Sequence, residues 1–523
     1  MALALLHTWP LVTAPATLSR TDTADTLLNQ WILAWVAHAL ATAPLDLFNA
    51  NIFFPEPRTL AFSEHLFVPA LFGAPLFWAG ASPVLAYNVV LWVGLALTGW
   101  TTSLVLHRWT GDWWAGIFGG CLAAFNTATL TRMGHIQAMH VEFLPLALLA
   151  LDDLLRDGRR RDGLRLGLYA ALQMLCSGYL LVMTALSVLT ALLVRPREWF
   201  GPRWRSRAVP LLLALAVTAA ICGPFLYQYY RVQHDQGLVR SLDEVRLYSG
   251  VWQNFVATGA RLHYGTWGAG LFAEANAPAF PGGVAVALAL LALGSGVGWR
   301  DPRARMWLAI GVVGAVLSFG PKVPGYAWLY EALPLLQGIR AVARLSLLAL
   351  LAVAVLASFG LAWLRSRLRL AQRDRLALAV GLIAVVIVNV ENTRAPMAFV
   401  EFEGIPPIYA RLASETNAVV VELPFPEPAR VAVNASAVLA STHYWKPLLN
   451  GYSGYMPASY VRHWEAFRAF PDPSVIISLR LAGVTHIVVT LAQAPDAVAA
   501  LQQVPGVTLF AADPTRRIYR IVP

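Results

Sequence analysis

The chain has 523 residues, of which 58% are hydrophobic and only 13% are charged. Soluble domains carry about 25% charged residues, so this composition excludes a soluble protein of this size and predicts one that crosses a membrane several times. The net charge of +10 does not indicate nucleic-acid binding, because the basic residues form short clusters between apolar runs rather than one patch. Such clusters are typical of loops that set membrane topology.

A transmembrane helix needs about 20 predominantly apolar residues. The apolar runs predict about eleven spans on that criterion, at residues 1–18, 84–106, 113–130, 140–155, 164–179, 180–194, 208–228, 282–299, 306–320, 343–364 and 376–391. Four arginine clusters then fall on one side, which the positive-inside rule makes cytoplasmic, at 156–165, 195–207, 300–305 and 365–375. We expect the run 66–79 to be re-entrant or interfacial, because a crossing there would turn all four clusters outward.

This topology leaves several segments on the outer face, namely 19–83, 131–139, 229–281, 321–342 and the tail. The tail differs in composition, with strand-like runs at 418–425 and 485–490 and a hairpin pattern at 507–522. We therefore predict a transmembrane domain over residues 1–391 and a small extracytoplasmic α/β domain over residues 392–523.

Two acids, Asp22 and Asp25, lie in the first outer segment, just beyond the first apolar run. An acid at a membrane edge costs free energy unless something uses it, so it is a functional-site hypothesis by default. Sugar transfer from a polyprenyl phosphate would need one carboxylate as a base for the acceptor hydroxyl. It would also need arginines or a metal ion to stabilise the departing phosphate. The alternative is that Thr23 or Asp25 only caps the helix predicted over 27–40.

Short motifs are spread along the chain, namely Asp25-Thr-Leu-Leu-Asn-Gln-Trp-Ile-Leu-Ala-Trp35, Asn51-Ile-Phe-Phe-Pro55, Ser63-Glu-His65, Gly134-His-Ile-Gln137, Phe280-Pro-Gly282, Gly338-Ile-Arg-Ala-Val-Ala-Arg344 and Trp445-Lys-Pro-Leu-Leu-Asn-Gly-Tyr-Ser-Gly454. They resemble motifs of bacterial integral-membrane glycosyltransferases of the GT-C superfamily, and the resemblance covers nearly the whole chain. It implies a GT-C-like helical membrane fold, the bacterial inner membrane, a polyprenyl-phosphate sugar donor and inversion at the anomeric carbon. GT-C enzymes carry an essential acid in the first outer loop. Asp25 occupies that place, and Asp22 is the second candidate.

The other candidate residues follow from their place in the outer segments. We expect Arg340, Arg344 and Arg58 to bind the donor phosphate. We expect Glu64, His65 and His135 to bind either a divalent metal (Mg²⁺ or Mn²⁺) or the acceptor. A further acceptor-binding set comprises Tyr264, Trp267, His443 and Lys446. The alternatives are arginines that snorkel to the membrane surface, polar residues of caps and turns and an interfacial aromatic belt.

The chain departs from two branches of the superfamily. Asp22 and Asp25 are separated, whereas the protein-mannosyltransferase-like branch has adjacent Asp-Glu. The Trp-Trp-Asp-Tyr-Gly signature of oligosaccharyltransferases is absent from the sequence, so en bloc transfer to asparagine is not expected. The acceptor stays open among an envelope glycan, a lipid and a protein. Two other functions also stay open: a transporter or flippase of lipid-linked saccharide, and a non-catalytic envelope assembly protein with the same fold.

Overall fold

The computed structural model describes residues 1–20, 23–201, 204–237 and 240–522, with only the backbone for residues 334 and 335. It is mostly helical (67%). Contacts divide the chain into two units, and neither is continuous in sequence. The first comprises Met1–Ala14, Val89–Leu226 and Val239–Ala398, and the second comprises Pro15–Asn88, Tyr227–Leu238 and Phe399–Pro523. These units cut across the division at residues 391 and 392, which stays a prediction.

The longer helices follow the apolar runs. Those of ten or more residues are Ala24–Thr42, Phe67–Trp78, Pro83–Thr110, Trp113–Ala124, Phe143–Asp157, Arg160–Cys176, Gly178–Val194, Trp204–Gln236, Gly283–Gly294, Pro302–Ser318, Ser346–Leu370, Asp374–Asn392 and Ala458–Phe467. Among the described residues, three helical stretches are long and apolar enough to cross a membrane: Pro83–Thr110, Trp204–Gln236 and Val342–Leu370. The total of about eleven spans stays a prediction.

The helix Trp204–Gln236 indicates most directly what surrounds the protein. Only 17% of its most apolar stretch is buried inside the protein, against 83% for Val342–Leu370. Apolar side chains such as Leu212 and Leu215, each 65% exposed, lie along it. A helix that leaves so much apolar surface uncovered is stable in an apolar surrounding, which the lipid bilayer supplies.

The N-terminal run differs from its prediction as a single span. Residues 1–18 contain a short helix, Ala2–His7, a 3₁₀ turn, Leu11–Thr13, and the start of strand β1, Leu18–Ser19. Pro10 lies between the helix and the turn, and proline interrupts a helix because it lacks a backbone N–H and its ring collides with the preceding turn.

The predicted strands of the tail are confirmed. Strand β1 pairs antiparallel with β2, Val400–Glu401. A four-stranded sheet follows, with strands β3 (Val420–Leu423), β4 (His486–Thr490), β5 (Val507–Ala512) and β6 (Arg516–Ile521) in the spatial order β3-β4-β6-β5. The β3–β4 pair is parallel, whereas β5 and β6 form the antiparallel hairpin that the turn pattern predicts. Ile487, Val488 and Val489 are fully buried, so β4 forms the core of the sheet.

Candidate active site

Asp25 lies in the first turn of the helix Ala24–Thr42. The residue that caps this helix is Thr23, whose side-chain oxygen accepts a hydrogen bond from the Thr26 N–H at 3.4 Å. A carboxylate in the first turn interacts favourably with the helix dipole, but the cap itself is already provided. The capping alternative therefore applies to Thr23 and does not account for Asp25. Asp22 lies outside the described residues.

The half-buried carboxylate of Asp25 contacts a residue of the tail within the same unit. The hydroxyl of Tyr452 donates a hydrogen bond to Asp25 Oδ1 at 2.8 Å, across 427 positions of sequence. Tyr87, only 1% exposed, is within electrostatic range of both Asp25 and Arg20. Tyr452 belongs to the tail motif that starts at Trp445, but nothing in the sequence distinguishes it from the other residues of that motif. Membership of that motif was the signal that could have found it.

The tail motif and the Asn51–Pro55 motif form a hydrogen-bonded pair. The Leu448 N–H donates to Asn51 O at 2.8 Å, and the Phe54 N–H donates to Leu448 O at 3.0 Å. The Phe53 N–H donates to Asn450 O at 3.2 Å. These contacts bring together two motifs that lie almost 400 positions apart, and they fix the segment that carries Tyr452.

Backbone strain marks the same pair of motifs. Phe53 (φ 58°) and Trp445 (φ 51°) adopt left-handed backbone conformations that non-glycine residues rarely occupy. Each such residue costs on the order of 1–3 kcal/mol and persists only where its surroundings over-determine it. The Trp445 ring stacks on His38 with the ring centres 4.2 Å apart, which is one of the contacts that hold it.

Gly451 gives a test of this packing. A Cβ at this position would lie 2.4 Å from ring atoms of Phe53, closer than any real contact. We expect Gly451→Ala to lower the free energy of unfolding by about 1–3 kcal/mol, as overpacking does. Thermal unfolding of the purified protein measures this. The matched control is Gly270→Ala, where an added Cβ meets nothing within 4 Å. Equal melting temperatures for the two variants would contradict the pairing of the motifs.

The Ser63-Glu-His65 motif is fixed by a tyrosine of the same unit. The Tyr229 hydroxyl donates to the Ser63 main-chain oxygen at 2.9 Å, and its ring meets His65 edge-on at 6.0 Å. Glu64 is half-buried and His65 is 1% exposed. Burial lowers the pKa of His65 to about 3, so its imidazole is neutral at physiological pH. A metal or acceptor role for Glu64 and His65 stays a prediction.

The low pKa of His65 predicts how stability depends on pH. The folded state binds this proton only near pH 3, whereas the unfolded state binds it below about 6.5. The contribution of His65 to the free energy of unfolding is therefore fully present above pH 6.5. It is lost as the pH falls toward 3, by about 1.4 kcal/mol per pH unit. We expect His65→Gln to unfold with a shallower pH dependence between pH 7 and pH 5. The exposed His234, replaced by Gln in the same way, is the control, and an equal slope in His65→Gln and wild type would contradict the prediction.

The three predicted phosphate-binding arginines have different surroundings. Arg58, in the second unit, forms an ion pair with Asp235 at 3.4 Å. Arg340, in the first unit, lies 3.7 Å from Glu244 and over the Tyr248 ring. Arg344, also in the first unit, stacks on the Tyr179 ring at 4.7 Å and forms no ion pair with a described acid. Of these three arginines, only Arg344 has no ion pair with an acid in the part of the chain that the structure describes.

Arg132 lies near Arg344 in the first unit. Burial, and next the charge of Arg344, lower the pKa of Arg132 to about 9, so it stays protonated at neutral pH. Its Nη2 atom is buried and has no hydrogen-bond partner among the described residues. Two guanidinium groups that repel each other without a described acid form a site suited to an anion. The sequence predicts a phosphate site at Arg344 but gives no signal that singles out Arg132.

The remaining predicted residues are also located. His135 is half-buried and precedes the 3₁₀ turn Ile136–Met139 in the first unit. Tyr264 (43% exposed) and Trp267 (40% exposed) lie on a short π-helical turn, with Trp267 edge-on to Phe280 at 5.2 Å. In the second unit, His443 is exposed and Lys446 is half-buried. Their acceptor roles stay predictions.

A divalent metal ion makes specific demands on the side chains around it. Such an ion needs several oxygen or imidazole ligands that converge on one point. In the part of the chain that the structure describes, no group of three or more His, Cys, Asp or Glu residues is placed to hold one. A metal site at Glu64, His65 and His135 therefore stays a prediction, and we assign no chemical step to a metal.

Comparison with known proteins identifies the fold. No protein-family profile and no curated protein matches the sequence. The structure is similar to the cryo-EM structure of the arabinofuranosyltransferase AftD from mycobacteria, with a TM-score of 0.61, 16% identity and coverage of 100% of this chain. It is also similar to the apo crystal structure of the Archaeoglobus fulgidus oligosaccharyltransferase, with a TM-score of 0.55, 12% identity and coverage of 100% of this chain and 73% of that one.

This chain spans only 39% of the length of AftD. Both proteins are glycosyltransferases of the GT-C type, and at such low identities the likeness concerns the fold alone. The chain therefore shares the fold of these two proteins, which confirms the GT-C-like helical membrane fold that the motif resemblance implies.

Proposed function

We propose that this protein is a membrane glycosyltransferase. It transfers one monosaccharide from a polyprenyl-phosphate donor to an envelope glycan, lipid or protein acceptor on the extracytoplasmic face of the bacterial inner membrane. The observation that carries the proposal is the placement of Asp25. It heads a GT-C-like motif, it lies in the first turn of its helix without serving as the cap, and its carboxylate contacts a second GT-C-like motif of the tail.

Asp25 is the general base in this proposal. Its carboxylate takes the proton of an acceptor hydroxyl as the hydroxyl oxygen bonds to the anomeric carbon. The bond between that carbon and the phosphate oxygen breaks, and its electron pair leaves with the phosphate. A single displacement of this kind inverts the anomeric centre. The leaving group is already a phosphate, so the step needs no general acid.

Arg344 and Arg132 bind the phosphate of the donor in this proposal. Charge-assisted hydrogen bonds from guanidinium to phosphate are about twice as strong as neutral ones. They act on the charge that grows as the phosphate departs. The support is the pair of neighbouring cations that have no ion pair with a described acid. Arg58 and Arg340 are weaker candidates because Asp235 and Glu244 already offset their charges.

The donor sugar is tested first among pentofuranoses, since AftD is an arabinofuranosyltransferase, and then among hexoses. Detergent-solubilised full-length protein is incubated with synthetic polyprenyl-phosphate sugars of both kinds. In parallel, the glycans and lipid-linked sugars of a deletion strain are profiled on each face of the membrane.

The deletion strain separates the three candidate functions. A lost glycan linkage together with donor that accumulates on the outer face supports the transferase. Lipid-linked sugar that accumulates on the inner face would instead identify a flippase. A strain that loses the glycan but keeps normal lipid-linked sugars, with an inactive purified protein, would identify a non-catalytic assembly protein. Either of the last two results overturns the proposal.

A further inference from the structure

The hydrogen bond between Tyr452 and Asp25 joins the proposed base to a tail segment that is itself held on several sides. We infer that Tyr452 is a positioning residue that holds the Asp25 carboxylate in its reactive orientation. This inference rests on the proposed function. It adds a role for the tail, which supplies a residue to the chemical step in addition to any part in acceptor binding.

The segment before Tyr452 is fixed by two buried asparagines, Asn434 (2% exposed) and Asn450 (1% exposed). Asn434 Nδ2 donates to Gly451 O at 3.1 Å, and Asn450 Nδ2 donates to Asn434 Oδ1 at 3.0 Å. Asn450 also exchanges two hydrogen bonds with the backbone of Glu422 on β3, at 2.7 and 3.0 Å. The position of Tyr452 is thus tied to the central sheet of the tail.

The segment after Tyr452 is fixed as well. A Cβ on Gly454 would lie 3.1 Å from the main-chain oxygen of Phe62, so the backbone passes close to the first outer segment there. The Tyr455 hydroxyl donates to Gln236 O at 3.1 Å. A tyrosine held from both sides presents its hydroxyl at a defined point, as a residue that orients a catalytic group must.

Orientation matters for this base because a carboxylate on a single methylene rotates readily. A displacement of about 1 Å in a reacting group can cost on the order of a hundredfold in rate. The Tyr452 hydroxyl holds Oδ1 at 2.8 Å, which restricts that rotation. Loss of this hydroxyl should therefore lower the rate of the chemical step and leave the binding of the donor unchanged.

The test is Tyr452→Phe, which removes one half-buried hydroxyl and keeps the ring. The matched control is Tyr455→Phe, which removes a hydroxyl from the same segment. That hydroxyl donates a hydrogen bond to the main-chain oxygen of Gln236. The first readout needs no substrate. Intact protein is treated with a water-soluble carbodiimide, and the labelling rate of Asp25 is followed by peptide mass spectrometry. We expect labelling to rise several-fold in Tyr452→Phe and to match wild type in the control.

The second readout is turnover with the polyprenyl-phosphate sugar that the donor screen identifies. We expect kcat to fall about 10- to 100-fold in Tyr452→Phe, with the KM for donor within about twofold of wild type and the melting temperature unchanged. Wild-type labelling together with wild-type kcat would overturn the inference. A raised KM or a lowered melting temperature with unchanged labelling would assign Tyr452 a structural role and also overturn it.

The two variants distinguish a failure of the positioning role of Tyr452 from a failure of the proposed function. If Asp25→Asn abolishes transfer but Tyr452→Phe changes neither readout, the positioning role fails and the function stands. If Tyr452→Phe exposes Asp25 to labelling but Asp25→Asn retains full transfer, the contact is real and the proposed role of Asp25 fails.

Discussion

Asp25→Asn is expected to lower the rate of sugar transfer by about 10²- to 10⁴-fold, the usual contribution of a positioned general base. The amide has nearly the same shape as the carboxylate but cannot take the proton of an acceptor hydroxyl. Its oxygen can still accept the hydrogen bond from Tyr452, and Thr23 still caps the helix. The variant should therefore fold with a melting temperature near that of wild type, and radiolabelled sugar transfer measures the loss.

The matched control for Asp25→Asn is Asp46→Asn. Asp46 is an exposed acid at the end of the 3₁₀ turn Pro44–Asp46 in the same unit. The same charge is removed beyond the other end of the same helix, and we expect full activity. Full transfer by Asp25→Asn would rule out the proposed mechanism. Equal losses in the two variants would point to a general effect of surface charge instead.

The physical reason that composition predicts the class of this protein is simple. The excess of apolar residues and the shortage of charge admit few structures other than a bundle of membrane helices. The hairpin of β5 and β6 was also predictable, because runs rich in β-branched and aromatic residues on either side of an Asp-Pro turn are a local signal. Signals of this kind need no knowledge of what lies elsewhere in the chain.

The contacts of the candidate site could not be predicted in the same way. Tyr452 and Asp25 are 427 positions apart, and the nearness of such residues depends on the whole fold. The sequence could rank Asp25 above Asp22 by its motif, but it could not show which of Thr23 and Asp25 caps the helix. Backbone geometry decided that question, because Thr23 is the residue with the extended conformation.

Burial explains two further differences between the sequence and the structure. The sequence shows His65 and Arg132 only as polar residues of outer segments, the first beside an apolar run and the second in a short loop. Their pKa values depend on burial, which lowers both and is not a local property of the sequence.

Arg132→Gln and Arg344→Gln are each expected to weaken binding of a polyprenyl phosphate by about 10- to 100-fold. A hydrogen bond to a charged group contributes about 1.5–3 kcal/mol, and each 1.4 kcal/mol is tenfold in affinity. Farnesyl phosphate serves as the probe, because a ligand that binds the folded state raises its melting temperature, and raises it more the more tightly it binds. The rise seen with wild type should be much smaller in both variants.

Without ligand, the melting temperature of the same two variants should not fall below that of wild type. Each removes one of two cations that repel each other, so the ligand-free protein should be as stable as wild type or more so. A purely structural arginine would give the reverse, a lower melting temperature with the ligand response intact. Arg58→Gln is the control, since Asp235 already pairs with Arg58 and its farnesyl phosphate response should match wild type. An unchanged response in Arg132→Gln and Arg344→Gln would show that these two arginines do not bind the donor phosphate.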